Sequence, residues 1–213
     1  MKIIKKLPTK IALFPLPNFI IFPKTSVPLN IFEPRYIDMI NDCMKENRIF
    51  GMIQPKKQIK DLPELYSIGC AGKITSFNET EDGKYLIVIN GVSRFRILKE
   101  ISNNKSYREC EVNFEDFNLD LKDNDQNIKL GELDSIFKNL KSLFEKKGYI
   151  INWKELEKKS LEQTINTLAM ASPFSLEEKQ ALLETKDINL RKISFEKILN
   201  TYVTDNFSNT TLQ

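Results

Sequence analysis

No histidine occurs among the 213 residues. That removes the usual general base at neutral pH, the Ser–His and Cys–His dyads, and the commonest zinc ligand. The three cysteines, Cys43, Cys70 and Cys110, are odd in number, widely spaced and form no CxxC pair. A disulfide frame and a structural zinc site are therefore not expected, and buried thiols in a reducing, cytoplasmic setting are. Phosphate-binding loops are missing as well. The stretch "GCAGK" (69–73) has the wrong spacing for a P-loop, and neither a dinucleotide fingerprint nor a Gly-x-Ser-x-Gly elbow occurs. No apolar run approaches the length of a membrane span, and Pro8 and Lys10 interrupt the opening "MKIIKKLPTK" before it could act as a signal peptide. The formal net charge of +3 is too weak to demand nucleic acid or an anionic membrane. A Ser–Lys dyad has no local motif behind it, and the carboxylates fall on charged faces where solvation accounts for them. No cofactor, no metal and no enzymatic chemistry are expected.

What the chain has instead is a proline-rich front. Eight of the nine prolines lie within the first 63 residues. The segment "LFPLPNFIIFPKTSVPLNIFEPRY" (13–36) is too apolar for solvent and too rich in proline for a regular helix or a central strand. Pro15, Pro17, Pro23 and Pro28 suit loop or edge-strand backbone. Pro34 suits the first turn of a helix, with Phe32 and Ile37 as a hydrophobic staple across its start. Ile37, Ile40 and Met44, with Tyr36 and Cys43 beside them, give that helix an apolar stripe.

Strands are expected from 49 to 114: "IFGMI" (49–53), "YSIGCAGKITSF" (66–77), "KYLIVIN" (84–90), "SRFRILKEI" (93–101) and "RECEVNF" (108–114). Asp82-Gly83 reads as a hairpin turn, and Asn90-Gly91 as a second turn between two strands. Tyr85–Ile89 reads as a strand covered on both faces. In the last strand, Cys110, Val112 and Phe114 share one face and the charges take the other. Several short strands with closely spaced turns indicate a small barrel. The polar stretch 118–129 reads as a linker. Beyond it, Leu130, Leu133, Phe137, Leu140 and Phe144 mark an amphipathic helix ending near Gly148, and "SLEQ" (160–163) and "SLEE" (175–178) are capping boxes. A last helix is expected to turn Leu190, Ile193, Ile198 and Tyr202 inward, ahead of a frayed tail at 204–213. The fold class is α+β, with domains expected at 1–117 (barrel) and 130–203 (helical bundle).

Residue patterns alone leave several functions open. Arg94 and Arg96 beside Phe95 permit RNA contact by charge and stacking, although alternation places both arginines on a solvent-facing strand face with Phe95 in the core. Lys56, Lys57 and Lys60 read as solubilising loop residues, and Trp153 as a packing anchor.

The words "LFPLPNFIIFP", "PLNIFEPRY", "FGMI", "LYSIGCAGKI", "DGKYLIVINGVSRFRI" and "YRECEV" resemble the substrate-binding (N-terminal) domain of Lon proteases. "WKELEKKSLEQTINTLAMASPFSLEEKQALLE" is similar to the free-standing bacterial members of that group. The resemblance covers roughly residues 8–203, with Phe14, Pro15, Pro17, Phe32, Glu33, Pro34, Arg35, Tyr36, Gly91, Arg94 and Phe95 as its structural motif. It implies a PUA-like β pseudo-barrel with one inserted helix, followed by an α-helical bundle. It also implies a part in capturing unfolded or tagged substrates, and no catalytic residue. The Lon ATPase and protease domains have no counterpart in these residues. The expected function is a polypeptide-binding module for unfolded or damaged proteins, acting as adaptor, holdase or modulator of Lon. RNA binding is the alternative reading, and small-molecule binding a weaker one. The barrel–bundle junction and the apolar segment "NFIIFP" are where an exposed surface would be sought. Phe19, Ile20 and Phe22, with Met52 and Tyr66 as neighbours, are the candidate contact residues, against the alternative that they are barrel wall.

Overall fold

The computed structural model describes residues 7–56, 63–122, 133–148, 152–156 and 158–208. Lys57, Lys60, Leu130 and the last five residues of the expected tail fall outside them. The chain divides into two compact units, Met1–Lys122 and Asp123–Gln213.

The first unit is a mixed sheet of six strands in the order β2-β5-β4-β3-β1-β6, with a further β5–β6 pairing. The strands are β1 (Lys10–Pro15), β2 (Ser26–Ile31), β3 (Ile49–Ile53), β4 (Ile68–Glu79), β5 (Tyr85–Ile101) and β6 (Arg108–Asn113). β1 and β3 run parallel and every other pair is antiparallel. Closure depends on β5, which serves two partners along one edge. Its first half pairs with β2 (Ser26–Ile31 against Asn90–Tyr85), and its second half pairs with β6 (Arg96 against Asn113 to Ile101 against Glu109). The ring β5-β4-β3-β1-β6 thus closes, and β2 extends it.

Asn90-Gly91 is therefore not a turn: β5 runs through it as one strand of 17 residues. The reason lies in what crosses Gly91. A Cβ there would sit 2.1 Å from the carbonyl oxygen of Phe22, so only glycine admits the proline-rich loop. That loop is then tied down, since Lys24 N–H donates to Gly91 O and Gly91 N–H to Thr25 O, each at 2.8 Å. The β4–β5 register slips at the same place, Ala71 facing Ser93 but Gly72 facing Gly91, which leaves Val92 as the extra residue of a bulge.

Phe95 fills the barrel among Ile11, Leu13, Ile53, Ala71, Cys110 and Val112. Gly69 makes room for it, because a Cβ there would meet Met52 O at 2.5 Å and the Phe95 ring at 2.6 Å. Helix α1 (Pro34–Lys45) starts at Pro34 and buries Tyr36, Met39, Ile40 and Cys43. Tyr36 sets its ring edge-on to Phe14, 4.3 Å between centroids, and donates its hydroxyl to Pro15 O at 3.3 Å. Phe32 does not act as a buried staple, being 63% exposed. Tyr85–Ile89 is covered on one face only, for Leu86 is exposed between the buried Tyr85 and Ile87. The Asp82-Gly83 hairpin forms as expected, with Gly83 at φ 74° and Thr80 N–H bonded to Lys84 O.

Arg94 departs most from the sequence reading. It is 1% exposed, not solvent-facing. A 3₁₀ helix (Glu115–Leu121) covers that face of β5, taking up residues 118–121 that were expected to begin a linker. Asp120 accepts Arg94 Nη2 on Oδ1 at 2.8 Å, and both Arg94 Nε and the Arg94 backbone N–H on Oδ2 at 2.9 Å. The guanidinium lies 4.3 Å over the ring of Phe117. Lys24 Nζ donates to Lys122 O at 2.7 Å, so the proline-rich loop also holds the end of this unit.

The second unit comprises α2 (Asp134–Lys147), α3 (Trp153–Leu156), α4 (Leu161–Ala171), α5 (Leu176–Glu184) and α6 (Ile188–Ser208). Both capping boxes are present, Ser160 with Gln163 and Ser175 with Glu178. Gly148 closes α2 in the left-handed conformation, and Trp153 packs edge-on to Phe137 and Phe144. α6 is turned differently from expectation. Leu190 and Ile193 are exposed, and Arg191, Phe195 and Leu199 form the inner stripe. Arg191 is drawn in by acceptors: its Nε donates to Leu182 O and Thr185 Oγ1 at the end of α5, and its Nη1 to Asn166 Oδ1 of α4. α6 remains helical into the expected tail.

Two outcomes follow from this packing. Asp120→Ala strands a buried guanidinium and is expected to cost about 3–5 kcal/mol in urea unfolding, whereas Asp116→Ala, which breaks only the exposed Arg96 pair, costs less than about 1 kcal/mol. Equal costs would contradict the clamp. All three cysteines are buried and free, and burial pushes the thiols of Cys43 and Cys110 up to about 12 and 11. Iodoacetamide at mildly alkaline pH is expected to label none of them until the chain is denatured; rapid labelling of the native protein would refute the packing.

Candidate functional site

The β5–β6 pairing slips as well. Ile97 faces Val112 and Lys99 faces Glu111, so Leu98 is the bulged residue. A bulge re-aims its side chain out of the alternating pattern, and Leu98 is 60% exposed. It stands over a groove of about 610 Å³ lined by Leu7, Leu98, Ile101, Val112, Phe114 and Leu121, with Thr9, Lys10, Glu111, Asn113 and Glu115 around them. Val112 is the buried floor, and Phe114 reaches inward toward Phe95, 6.3 Å between centroids. The groove lies wholly within the first unit. Its wall at Leu121 is the end of the 3₁₀ helix that Arg94 and Asp120 hold in place.

β6, the strand beneath the groove, is paired along both edges. β6 pairs with β1 on one side and β5 on the other, and Val112 N–H donates to Thr9 O. β6 therefore offers no free edge to an incoming strand, and its contribution to recognition is through side chains.

A second concavity, about 180 Å³, is polar and lies over α1, lined by Asp42, Cys43, Glu46, Lys105, Tyr107, Glu109 and Lys10 among others. Tyr107 donates its hydroxyl to Asp42 Oδ2 at 2.7 Å, and Lys105 Nζ donates to Tyr107 Oη at 2.8 Å and to Glu109 Oε1 at 3.1 Å. The bond to Tyr107, joined by Glu109, raises the Lys105 ammonium, and burial pushes the Tyr107 phenol up to about 12. Burial alone would raise the carboxyl of Glu109, but Lys105, Lys10 and Asn103 together hold it below its ordinary value. Asp42, Lys105, Tyr107 and Glu109 are thus bonded to one another, and the cluster straps α1 to β6. Among the described residues no group of His, Cys, Asp or Glu could hold a metal ion.

The candidate contact residues from sequence are scattered. Ile20 and Phe22 are buried where the loop is tied against Gly91, and Met52 is buried within β3. Phe19 and Tyr66 remain partly exposed, and neither lines the groove. Of the two arginines considered for RNA, Arg94 is sequestered and Arg96 is paired with Asp116 at 2.8 Å. Sequence reasoning missed Leu98, Ile101, Phe114 and Leu121 as a group. One signal was available: Ile97-Leu98 is an apolar doublet that breaks the alternation of Phe95, Arg96 and Ile97.

Compared with known proteins, residues 10–201 match the family model described as the ATP-dependent protease La (LON) substrate-binding domain. The chain belongs to the Lon substrate-binding domain family. Its relatives include the Lon protease of Syntrophus aciditrophicus, 24% identical over 208 residues, covering 92% of this chain and 25% of that protein. The Lon protease of Malacoplasma penetrans is 28% identical over 192 residues, covering 86% and 24%. This chain thus spans about a quarter of the curated relatives' length. Among solved structures, a Lon N-terminal domain protein from Xanthomonas campestris superposes with TM-score 0.63 at 21% identity, over 89% of this chain and 98% of that one. The N-terminal domain of Mycobacterium avium complex Lon protease gives 0.61 at 17%, over 92% and 98%. These share the fold: a mixed six-stranded sheet with a following helical region. No helix among the described residues is long and apolar enough to cross a membrane.

The Glu109 contacts have a pH signature. A carboxyl held below its ordinary value of 4.5 in the folded state stabilises the fold above that value, and the contribution is lost as pH falls through the lower folded value. Wild type is therefore expected to lose stability more steeply than Glu109→Gln as pH drops below about 4.5 in urea titrations. Parallel curves for the two proteins would refute the assignment.

Proposed function

We propose that this chain is a non-catalytic polypeptide-recognition module that receives apolar segments of unfolded or damaged proteins in the Leu98 groove. The observation that carries the reading is the bulge, which places an exposed leucine over an apolar groove in a member of a substrate-binding domain family. Exclusion of water from Leu98, Ile101, Phe114 and Leu121 supplies the driving force. In this reading the protein acts as an adaptor or holdase in protein quality control, and Lon is its second partner. Phe19 and Tyr66 are secondary contacts.

The reading is tested by fluorescence anisotropy with a labelled, permanently unfolded carboxymethylated protein. Leu98→Asp is expected to weaken binding about tenfold or more, the scale of losing one buried leucine side chain. Its unfolding midpoint should stay close to wild type, since Leu98 is exposed. Phe19→Ala should weaken binding less. Unchanged binding by Leu98→Asp would remove the groove from the function.

A further inference from the structure

β2, the first half of β5 and the second half of β4 lie side by side, and the two outer edges of this arm differ. Thr80 N–H donates to Lys84 O. By alternation Asn78 then faces β5, while Phe77 and Glu79 turn their N–H and C=O groups outward. Leu86, opposite Asn78, faces β4, so Tyr85 and Ile87 face β2. Their partners Ile31 and Leu29 face β5 in turn, and the nitrogen of Pro28 points outward. Proline has no N–H to offer, so the β2 edge is blunted at its centre. The β4 edge carries no proline and no lysine between Ile74 and Glu79. Residues 75–79 are all exposed, and among the described residues nothing bonds the outward N–H and C=O groups of Phe77 and Glu79. Ile74 N–H, which donates to Arg48 O, is the last outward donor of β4 that the fold uses. The stretch of β5 beyond Ile97 offers a poorer edge, because the Leu98 bulge interrupts its ladder.

We propose that this edge of β4 is a second polypeptide site, which takes an extended segment as an added strand bonded to Phe77 and Glu79. Donors and acceptors alternating at strand spacing are matched by another extended backbone, so the ligand is an unfolded or extended chain. Phe77 adds one side-chain requirement. Its ring is 37% exposed and stands edge-on to the buried Tyr85, 4.8 Å between centroids. An apolar residue placed opposite it gains a cross-strand contact. A second copy of this chain fits poorly. Two antiparallel copies that used both outward residues would set Phe77 of each opposite Glu79 of the other, pressing a carboxylate against each ring. The inference rests on the polypeptide-binding reading for the class of its ligand, and on none of the residues that line the Leu98 groove.

The test titrates the full chain with a short peptide of threonine and serine around one central phenylalanine, and follows amide hydrogen exchange by NMR. At saturation the Phe77 and Glu79 amides are expected to exchange about tenfold more slowly or better, the scale of one hydrogen bond, while Asn78, already facing β5, changes little. Methylating the peptide's backbone nitrogens keeps every side chain and removes the donors, and should weaken binding about tenfold or more. Glu79→Pro removes an outward N–H and leaves the β5 ladder whole, so it should weaken binding by a similar factor with an unfolding midpoint near wild type. Leu98→Asp should leave binding of this peptide unchanged. Equal affinity of the methylated peptide overturns strand addition. Bound peptide without protection at Phe77 and Glu79, or binding lost in Leu98→Asp and kept in Glu79→Pro, overturns this site and leaves the groove standing. Binding of the carboxymethylated client without binding of this peptide does the same, and binding of neither overturns both readings. Protection of Phe77 and Glu79 in the free chain that grows with protein concentration assigns the edge to a second copy and overturns the proposal.

Discussion

The first unit depends on one strand having to serve two neighbours along a single edge. β5 can do so only if it bends between the stretch that pairs with β2 and the stretch that pairs with β6. The bend is built where the Phe22 carbonyl crosses Gly91, at a distance that no Cβ could share. The proline-rich loop is the part that presses there, and its prolines keep it out of the ladder it crosses. Loop, glycine and bulge are one device, and closure of the ring follows from it.

The buried Arg94–Asp120 pair completes the same device. The bent strand exposes a face that must be covered, and the 3₁₀ helix covers it. Neither ion would be tolerated there alone. Bidentate geometry, a third bond from the Arg94 backbone and the Phe117 ring satisfy both charges together. The helix so fixed supplies Leu121 to the groove, and the β5–β6 bulge supplies Leu98. Elements that close the barrel are thus the ones that shape its candidate binding surface.

Features resting on local chemistry were legible in the sequence. The two capping boxes, the Asp82-Gly83 hairpin, the helix start at Pro34 and the inward Phe95 all depend on residues a few positions apart. Arg94 was misread because its partner lies 26 residues away in a stretch that looks like linker. Alternation assigns a strand residue to a face but cannot say what covers that face. α6 was rotated for a related reason: hydrophobicity favoured Leu190 and Ile193, while the acceptors on α4 and α5 drew Arg191 inward. The groove was the least legible feature, since its walls come from the segments around Leu7, Leu98, Phe114 and Leu121. The family words mark the fold, and most of them turn out to be wall, not surface.

The central claim, that the bulge at Leu98 creates the surface contacting polypeptide, is tested most directly by methyl NMR of the full chain during titration with an unfolded client. Shifts concentrated at the methyls of Leu7, Leu98, Ile101, Val112 and Leu121, saturating together and absent in Leu98→Asp, are the predicted result. Shifts confined to Leu190 and Ile193 of α6, or to no methyl of the groove, would contradict it.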